Sequence, residues 1–343
     1  MLPRVLPKED FDKLVEALLA ERRVAGPVAK DGKFAFAELV GPDELRMDYP
    51  ITLQAPKKFF FPQYDTLLRY SLGDAVEVES VVGSAPEVVL GVHPCDLAAL
   101  DLFDAVFADN EGEPTYQLRR TEAVIVGLDC NVPCDDYQFC LDMGSLHHRR
   151  GADLFLTDLG DRYFVEILTE RGEALLEAAP SEARSAGSDD FAARQAIEEQ
   201  KAANFHHKLP FDVKYLPEIL EESYDSLIWE AVARRCFSCG SCNLVCPTCY
   251  CFDVQDEVEL NLQDGRRSRR WDGCMLREFA VVATGENFRE RPSERLRHRL
   301  FRKGKYILED YGRMGCVGCG RCDRTCVAKI SCVETYNQIA GSR

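Results

Sequence analysis

The chain has 343 residues, a net charge of −16, 46% hydrophobic residues and sixteen cysteines. This length allows two domains, and the composition is typical of a globular protein. The negative charge argues against a general binder of nucleic acid or membrane surfaces, because phosphate would be repelled, and no apolar run approaches the roughly 20 residues that span a bilayer.

The N-terminus, MLPRVLPKEDFDKLVEALLAERR, is charged and amphipathic. It lacks the apolar core of a signal peptide, which predicts a cytoplasmic protein. In a reducing compartment we expect the cysteines to bind metal rather than form disulfides. Thiolates are soft ligands that suit zinc and iron–sulfur clusters.

The first part of the chain has an α/β pattern. Two apolar runs, Val88–Val92 and Ala123–Leu128, predict strands buried on both faces. Between them DLAALDLFDAVF has apolar residues at helical spacing, with Asp96 as a plausible N-cap. Strand, helix and strand together predict a parallel pair with a crossover. LFLTDLGDRYFVEIL then predicts a hairpin that turns at Gly160-Asp161.

The distribution of cysteines suggests where the chain divides. No cysteine precedes Cys95, four lie between 95 and 140, and twelve lie from Cys236 onward. The gap contains EAAPSEARSAGSDDFAARQAIEEQKAANF, which is polar and predicts solvated helix and linker. We therefore expect an α/β domain with a parallel or mixed sheet over 1–175, a helical linker over 176–235 and a cysteine-rich domain over 236–343.

The segment LPEILEESYDSLIWEAVARRC, just before the first ordered cysteine run, predicts one amphipathic helix. The residues expected to share its apolar face are Leu216, Ile219, Leu220, Tyr224, Leu227, Ile228, Ala231 and Val232.

The strongest motif is a cysteine run that occurs twice. CFSCGSCNLVCP (236–247) has the spacing C-x2-C-x2-C-x3-C-P, and CVGCGRCDRTCV (316–327) repeats it with valine in place of proline. Three thiolates of such a run bind one cubane and the fourth reaches the other cluster. The run therefore predicts two [4Fe–4S] clusters in an α+β ferredoxin-like dicluster domain. Their expected ligands are Cys236, Cys239, Cys242 and Cys326 for one, and Cys316, Cys319, Cys322 and Cys246 for the other.

Two zinc sites are the alternative, but zinc prefers two pairs of thiolates to two four-cysteine ferredoxin runs. Gly240 and Gly320 occupy matching places between the second and third ligands, where a missing Cβ lets backbone N–H groups approach cluster sulfur.

A long insertion, 248–315, separates the two runs. Four cysteines there and beyond have no assigned role, and we expect them to be buried thiols beside the clusters rather than ligands of a further cluster. They are Cys249, Cys251, Cys274 and Cys332.

The insertion is also basic. Between 265 and 305 thirteen Lys and Arg stand against five Asp and Glu, a net +8. The guanidinium groups would stabilise reduced clusters or form a docking face for an acidic partner. Alternatively they form a solvated face paired with Glu286, Glu290 and Glu294. The crowded arginines are Arg295, Arg297, Arg299 and Arg302.

The earlier cysteines suggest one more site. Cys95 and Cys130 each fall just beyond a predicted parallel strand, and ligands gather at the carboxyl ends of such strands. With Cys134 and Cys140 they predict a third [4Fe–4S] cluster. A zinc site or unliganded thiols are the alternatives, and Asp96 or Asp129 could replace one cysteine as ligand. His93, two residues from Cys95, could tune such a cluster or simply pack in its loop.

The motifs CFSCGSCNLVCPTCYCFDV, RRWDGCM, ENFR, RLRHRL and GCVGCGRC, with GVHPCDLAALDLFD and IVGLDCNVPC, resemble a known family. Over roughly residues 50–330 the chain resembles the iron–sulfur beta subunit of cytosolic sulfhydrogenases (NiFe hydrogenase/sulfur reductases) and the related iron–sulfur subunit of anaerobic sulfite reductase. The resemblance implies an electron relay between an NAD(P)H-linked flavoprotein and a catalytic subunit, which would be a hydrogenase, a sulfite reductase or a heterodisulfide-reductase-like protein.

Three functions are compatible with the cysteine motifs. The favoured one is an electron-transfer subunit without catalytic residues, because no dinucleotide fingerprint, G-x-S-x-G or H-E-x-x-H motif occurs. The second is an enzyme subunit whose first domain binds flavin or a sulfur substrate. The third, a structural cluster protein acting on nucleic acid, lacks a stacking platform because Trp271 is the only aromatic residue in the arginine-rich run.

Overall fold

The computed structural model describes residues 1–73, 75–109, 113–178 and 183–342. Residues 179–182 of the predicted linker lie outside this set. The strands are β1 (Arg4–Pro7), β2 (Val24–Lys30), β3 (Lys33–Glu38), β4 (Tyr64–Leu72), β5 (Val76–Ser80), β6 (Val88–Val92), β7 (Val124–Leu128), β8 (Leu154–Asp158), β9 (Arg162–Ile167), β10 (Arg184–Ser185), β11 (Phe252–Val258) and β12 (Asp264–Trp271).

The helices alternate with these strands and then dominate the last third of the chain. They are α1 (Lys8–Glu21), α2 (Lys57–Phe60), α3 (Pro94–Val106), α4 (Pro114–Glu122), α5 (Glu170–Glu177), α6 (Ser188–Asn204), α7 (Leu216–Glu222), α8 (Ile228–Ala233), α9 (Ser241–Leu244), α10 (Pro292–Phe301), α11 (Ile307–Tyr311), α12 (Arg321–Thr325) and α13 (Cys332–Gly341). None of them, within the described ranges, has the length and apolar composition needed to cross a membrane.

The larger sheet is mixed, in the order β10-β1-β9-β8-β7-β6-β2-β3. Strands β2, β6, β7 and β8 run parallel, and the outer strands pair antiparallel. Every residue of β6 and β7 is buried, as expected of central parallel strands. The predicted hairpin is β8–β9. The α/β character of the first part is therefore confirmed.

Helix α3 follows β6 and places the first cysteine group. It begins at Pro94, with His93 at the N-cap position, because proline fits the first turn of a helix without losing a hydrogen bond. The expectation that Asp96 caps this helix is wrong. Asp96 lies inside the first turn, fully buried, and its carboxylate binds Arg321. The apolar face including Leu97, Leu100 and Phe103 is buried as predicted.

A second sheet joins distant parts of the chain. Its order is β11-β12-β4-β5, all antiparallel, so a hairpin from the insertion pairs with a hairpin from the first part. Beneath it the buried Asp65 carboxylate receives hydrogen bonds from Arg119 and Arg269 at 2.7–3.0 Å. A buried carboxylate between two guanidinium groups is compensated, so this network ties the insertion firmly to the first part.

The predicted single helix before the first cysteine run is two helices. The chain turns between α7 and α8, where the Ser223 hydroxyl donates to the Leu220 carbonyl and the Trp229 indole donates to the Ser223 carbonyl. Such side-chain bonds to the backbone compete with helix continuation. Tyr224 and Leu227, which we expected on the apolar face, are exposed, while Leu216, Ile219 and Leu220 are buried.

The helix α6 of the predicted linker is attached to the large sheet rather than solvated on all sides. Lys201, 1% exposed, donates to the buried Asp129 carboxylate at 2.5 Å, next to Cys130. Arg194 reaches Glu166 of β9. The linker therefore contributes a buried cation beside the first cysteine group.

Candidate metal centres

The two ferredoxin-type runs fold into matching loops. Gly240 and Gly320 cap α9 and α12 with left-handed φ angles of +75° and +70°, which glycine adopts without steric cost. A Cβ on Gly320 would lie 2.6 Å from the Tyr137 carbonyl, and one on Gly318 would lie 2.5 Å from the Phe139 carbonyl. The second loop is thus pressed directly against the segment that carries Cys134 and Cys140.

The second run surrounds a buried cavity of about 20 Å³. All four cysteines predicted for that cluster line it, together with one thiol that had no predicted role. They are Cys246, Cys316, Cys319, Cys322 and Cys332. Burial raises the pKa of Cys316 to about 12. Such thiols stay protonated unless a metal stabilises the thiolate, and metal binding then releases their protons.

The first run lines a similar cavity of about 40 Å³. Its cysteines are Cys236, Cys242, Cys322, Cys326 and Cys332. Cys239, predicted for the same cluster, is not among the lining residues; its side chain is exposed, and its hydrogen bond with the Ser241 hydroxyl lowers the pKa of its thiol. Phe237 and Val327, which directly follow the lining residues Cys236 and Cys326, are 71% and 74% exposed. The first cavity therefore lies at the protein surface, and it shares Cys322 with the second.

The first cysteine group converges at the carboxyl ends of β6 and β7, as the sequence predicted. The thiols of Cys134 and Cys140 both raise the pKa of the buried Cys130 thiol, after burial itself and Asp129. After burial and Asp96, the thiols of Cys319 in the second run and of Cys130 raise the pKa of the Cys95 thiol. The four predicted ligands are thus brought together beside the second cavity.

The carboxylates near this group are already paired. Both Asp96 oxygens accept from Arg321 at 2.6 and 2.8 Å. Asp129 accepts from Lys201 and from the Cys130 amide, although its second oxygen is buried without a partner among the described residues. His93 stacks on Tyr49 at 4.2 Å between ring centroids, and burial with Arg321 lowers its pKa to about 3. A neutral packing role therefore accounts for His93.

Arginines of the insertion enter both cavities. Arg299, 5% exposed, lines the two cavities and donates to the Cys332 sulfur at 3.6 Å, while its Nε has no partner among the described residues. Burial opposes its charge, yet the nearby thiols raise its pKa well above the usual value. Arg295 is buried too and donates to Ser238 between two cysteines. The expected solvated face does not exist at these two positions.

Buried cations are stable only with compensating charge. Lys303, one turn after Arg299, is 6% exposed, and its ammonium donates to the Thr248 hydroxyl. No carboxylate pairs with Arg299 or Lys303 among the described residues. Sulfur-lined cavities beside unpaired buried cations fit an anionic group bound by thiolates, as iron–sulfur clusters are. The basic composition of the insertion could be read from the sequence. Which of its arginines are buried beside the thiols could not.

A large open cleft lies elsewhere, lined by residues that include Arg120, Thr121, Asp153 and Arg171. It is at the amino ends of β7 and β8, whereas cofactors of open α/β sheets bind at the carboxyl ends. Arg171 is already engaged with Asp153 and the Ala123 carbonyl. This cleft does not support a flavin or substrate site.

Comparison with known proteins agrees with this chemistry. Residues 235–330 match the family model of the 4Fe-4S dicluster domain. Over 334 residues the chain is 33% identical to sulfhydrogenase 2 subunit beta of Pyrococcus furiosus, which covers 97% of each chain. No solved structure matches significantly. The prediction of [4Fe–4S] clusters in the C-terminal part is confirmed.

Proposed function

Since the chain belongs to the family of sulfhydrogenase beta subunits, we propose that it is the electron-transfer subunit of a multi-subunit cytoplasmic oxidoreductase. It would pass single electrons between an NAD(P)H-linked flavoprotein and a catalytic subunit. Bound [4Fe–4S] clusters supply one-electron steps without an organic substrate site. The chain itself then needs only to hold, insulate and tune them.

The proposed ligand sets are those of the two ferredoxin-type runs and the first cysteine group. They are Cys236, Cys239, Cys242 and Cys326; Cys246, Cys316, Cys319 and Cys322; and Cys95, Cys130, Cys134 and Cys140. The [4Fe–4S] assignment of the third set rests on its position at the strand ends and on its all-thiol composition.

The observation that carries the proposal is that the second run touches both other groups. Cys322 lines the first and second cavities, and the Phe139 amide donates to the Gly318 carbonyl at 2.7 Å. The second run therefore lies in contact with both other groups. Clusters bound at the three groups would follow one another through the second run, an arrangement suited to a relay.

Side chains beside these groups have distinct roles in the proposal. Arg299 and Lys303 would offset the negative charge that reduction adds, because they are buried cations beside thiols. Phe139 and Tyr336 line the second cavity and are 1% and 0% exposed, so they exclude water from it. The exposed Cys239 would face one partner subunit.

The test is the Cys319→Ser variant in the assembled complex. It should abolish electron transfer from NAD(P)H to the terminal acceptor, while the flavoprotein still reduces an artificial dye. Val15→Ala, which alters a fully buried side chain of α1 that lines neither cavity, is the control and should retain turnover. Full overall turnover by Cys319→Ser with its iron content reduced would refute the relay.

A further inference from the structure

Three thiols outside the proposed ligand sets lie together. Cys249 and Cys251 precede β11, Cys274 follows β12, and the pairing of these two strands brings both ends to one place. Phe252 pairs with Trp271, and the Asp272 amide donates to the Cys251 carbonyl at 3.0 Å, which holds the segments of Cys251 and Cys274 side by side. Cys249 and Cys274 share one further neighbour, Asn243. We name Cys249, Cys251 and Cys274 the thiol trio.

Asn243 is oriented toward the thiol trio by its surroundings. Its Oδ1 accepts from the Met275 amide at 3.2 Å, which leaves Nδ2 to face Cys249 and Cys274 at 3.6 and 3.5 Å. A Cβ on Gly273 would lie 2.7 Å from this side chain, so the close approach requires glycine there. Asn243 is 3% exposed. A buried amide donor aimed at sulfur is a feature that stabilises metal-bound thiolates.

Buried cations surround the same thiols. Lys57 donates to the carbonyls of Cys246 and Cys249 at 2.8 and 2.7 Å, and burial lowers its pKa to about 8. Burial also opposes the charge of Arg302, whereas Tyr250 and then the thiol trio raise its pKa. Neither cation pairs with a carboxylate among the described residues. Neutral thiols do not compensate these charges, but metal-bound thiolates do.

The spacing of the thiol trio distinguishes the kind of metal centre. Four thiolates around one zinc ion lie about 3.8 Å apart, given a Zn–S bond of about 2.3 Å. Among the described residues, three such ligand atoms come within 4.8 Å of one another only at Cys322, Asp323 and Cys332. At least one pair of sulfurs in the thiol trio therefore lies more than 4.8 Å apart, which is wider than a single zinc ion requires and favours a larger group.

From these contacts we infer that Cys249, Cys251 and Cys274 hold an additional iron–sulfur cluster, beyond the two ferredoxin-type clusters and the proposed third one. The Cys249 amide donates to the carbonyl of Cys246, which lines the second cavity, so the additional cluster would adjoin that cavity. Three thiolates bind three of a cubane's four irons, and the centre would be either a three-iron cluster or a cubane with one iron free of protein ligands.

The test compares Cys274→Ser with Val15→Ala in the full chain, purified without oxygen. Both change one buried side chain, since these residues are 4% and 0% exposed, but Val15 of α1 lines neither metal cavity. Cys274→Ser should lose about three or four irons per chain, and sulfide in proportion, while Val15→Ala keeps the wild-type content. The reduced Cys274→Ser protein should also lack one electron paramagnetic resonance signal. Equal iron content in the two variants would overturn the inference, as would zinc that is present in wild type and lost from Cys274→Ser.

A measurement on the wild-type protein covers the case in which Cys274→Ser does not fold. The half-buried Cys249 and Cys251 should resist alkylation in the purified protein and react after iron is removed, as mapped by peptide mass spectrometry. Alkylation of both before iron removal would contradict the inference. None of these experiments changes a proposed ligand of the two ferredoxin-type clusters. The additional cluster can therefore be disproved while the relay, which Cys319→Ser tests, still stands.

Discussion

The buried pair of Arg321 and Asp96 offers the sharpest test of how the two halves are joined. Arg321 is 1% exposed and Asp96 fully buried, and the guanidinium also donates to the carbonyl and hydroxyl of Thr52 at 2.9 and 3.1 Å. Arg321→Met would leave the Asp96 carboxylate buried without its partner. Breaking a buried pair in this way costs roughly 3–5 kcal/mol.

The two partners are not equivalent, which makes the prediction specific. Burial works against the charge of Arg321, but Cys319 and Cys95 as well as Asp96 raise its pKa, so metal-bound thiolates would still compensate it if Asp96 were neutral. Asp96→Asn also keeps one acceptor for the guanidinium. We therefore expect it to cost only about 1–3 kcal/mol, clearly less than Arg321→Met.

The assay is thermal unfolding of the iron-loaded full chain, followed by circular dichroism. For a chain of 343 residues the unfolding entropy corresponds to about 1.4 °C per kcal/mol, so Arg321→Met should lower the midpoint by roughly 4–7 °C. The double variant Asp96→Leu/Arg321→Met removes both charges and should recover part of this loss. Equal losses for the two single variants, or a loss below about 1 kcal/mol for Arg321→Met, would refute the reasoning.

Three further predictions concern the cavities and their loops. Arg299→Met should shift the reduction potentials of the ferredoxin-type clusters negative by roughly 50–100 mV in a redox titration, the equivalent of about 1–2 kcal/mol of lost charge interaction. Arg297→Met, which removes a half-buried guanidinium that lines neither cavity, should leave the potentials unchanged. Gly320→Ala should destabilise the protein far more than Gly312→Ala. Both glycines have a positive φ, but a Cβ at Gly320 would collide with the Tyr137 carbonyl, whereas a Cβ at Gly312 would enter open space. The difference should exceed about 1 kcal/mol in chemical unfolding, and similar losses would contradict the packing. Iron removal by a chelator should lower the unfolding midpoint strongly, because the buried cations lose the negative charge of the clusters. An unchanged midpoint would show that these cations are stable without that charge.

Local patterns in the sequence were enough to identify the centre of the fold. The strands around Val88–Val92 and Ala123–Leu128, the helix after Cys95 and the hairpin at Gly160-Asp161 were all predicted, because burial on both faces and helical spacing leave direct traces in composition. The two cysteine runs were recognised because ligand spacing is itself the signal. The apolar run Ala123–Leu128 likewise predicted that Cys130 lies just beyond the carboxyl end of a strand.

Contacts between distant segments could not be predicted in the same way. The pairing of β12 with β4 joins residues about 200 positions apart, and neither strand's composition names its partner. Cys251 and Cys274 lie close together because β11 pairs with β12. This pairing was not predicted, so the two cysteines were treated as unrelated thiols. Arg299 and Arg297 are equivalent in a list of basic residues. Only the orientation of α10 buries Arg299 in the cavities and turns the half-buried Arg297 to the Tyr224 carbonyl.

The sheet shared by the two hairpins has a consequence for how the protein can be divided. A fragment beginning at the first cysteine run would keep both ferredoxin-type motifs but would expose the edge of β12 that normally pairs with β4. Unpaired edges of this kind recruit other chains, and Arg269 would lose Asp65. A minimal ferredoxin excised from this chain should therefore self-associate, and a soluble one would need the 64–80 hairpin supplied alongside it.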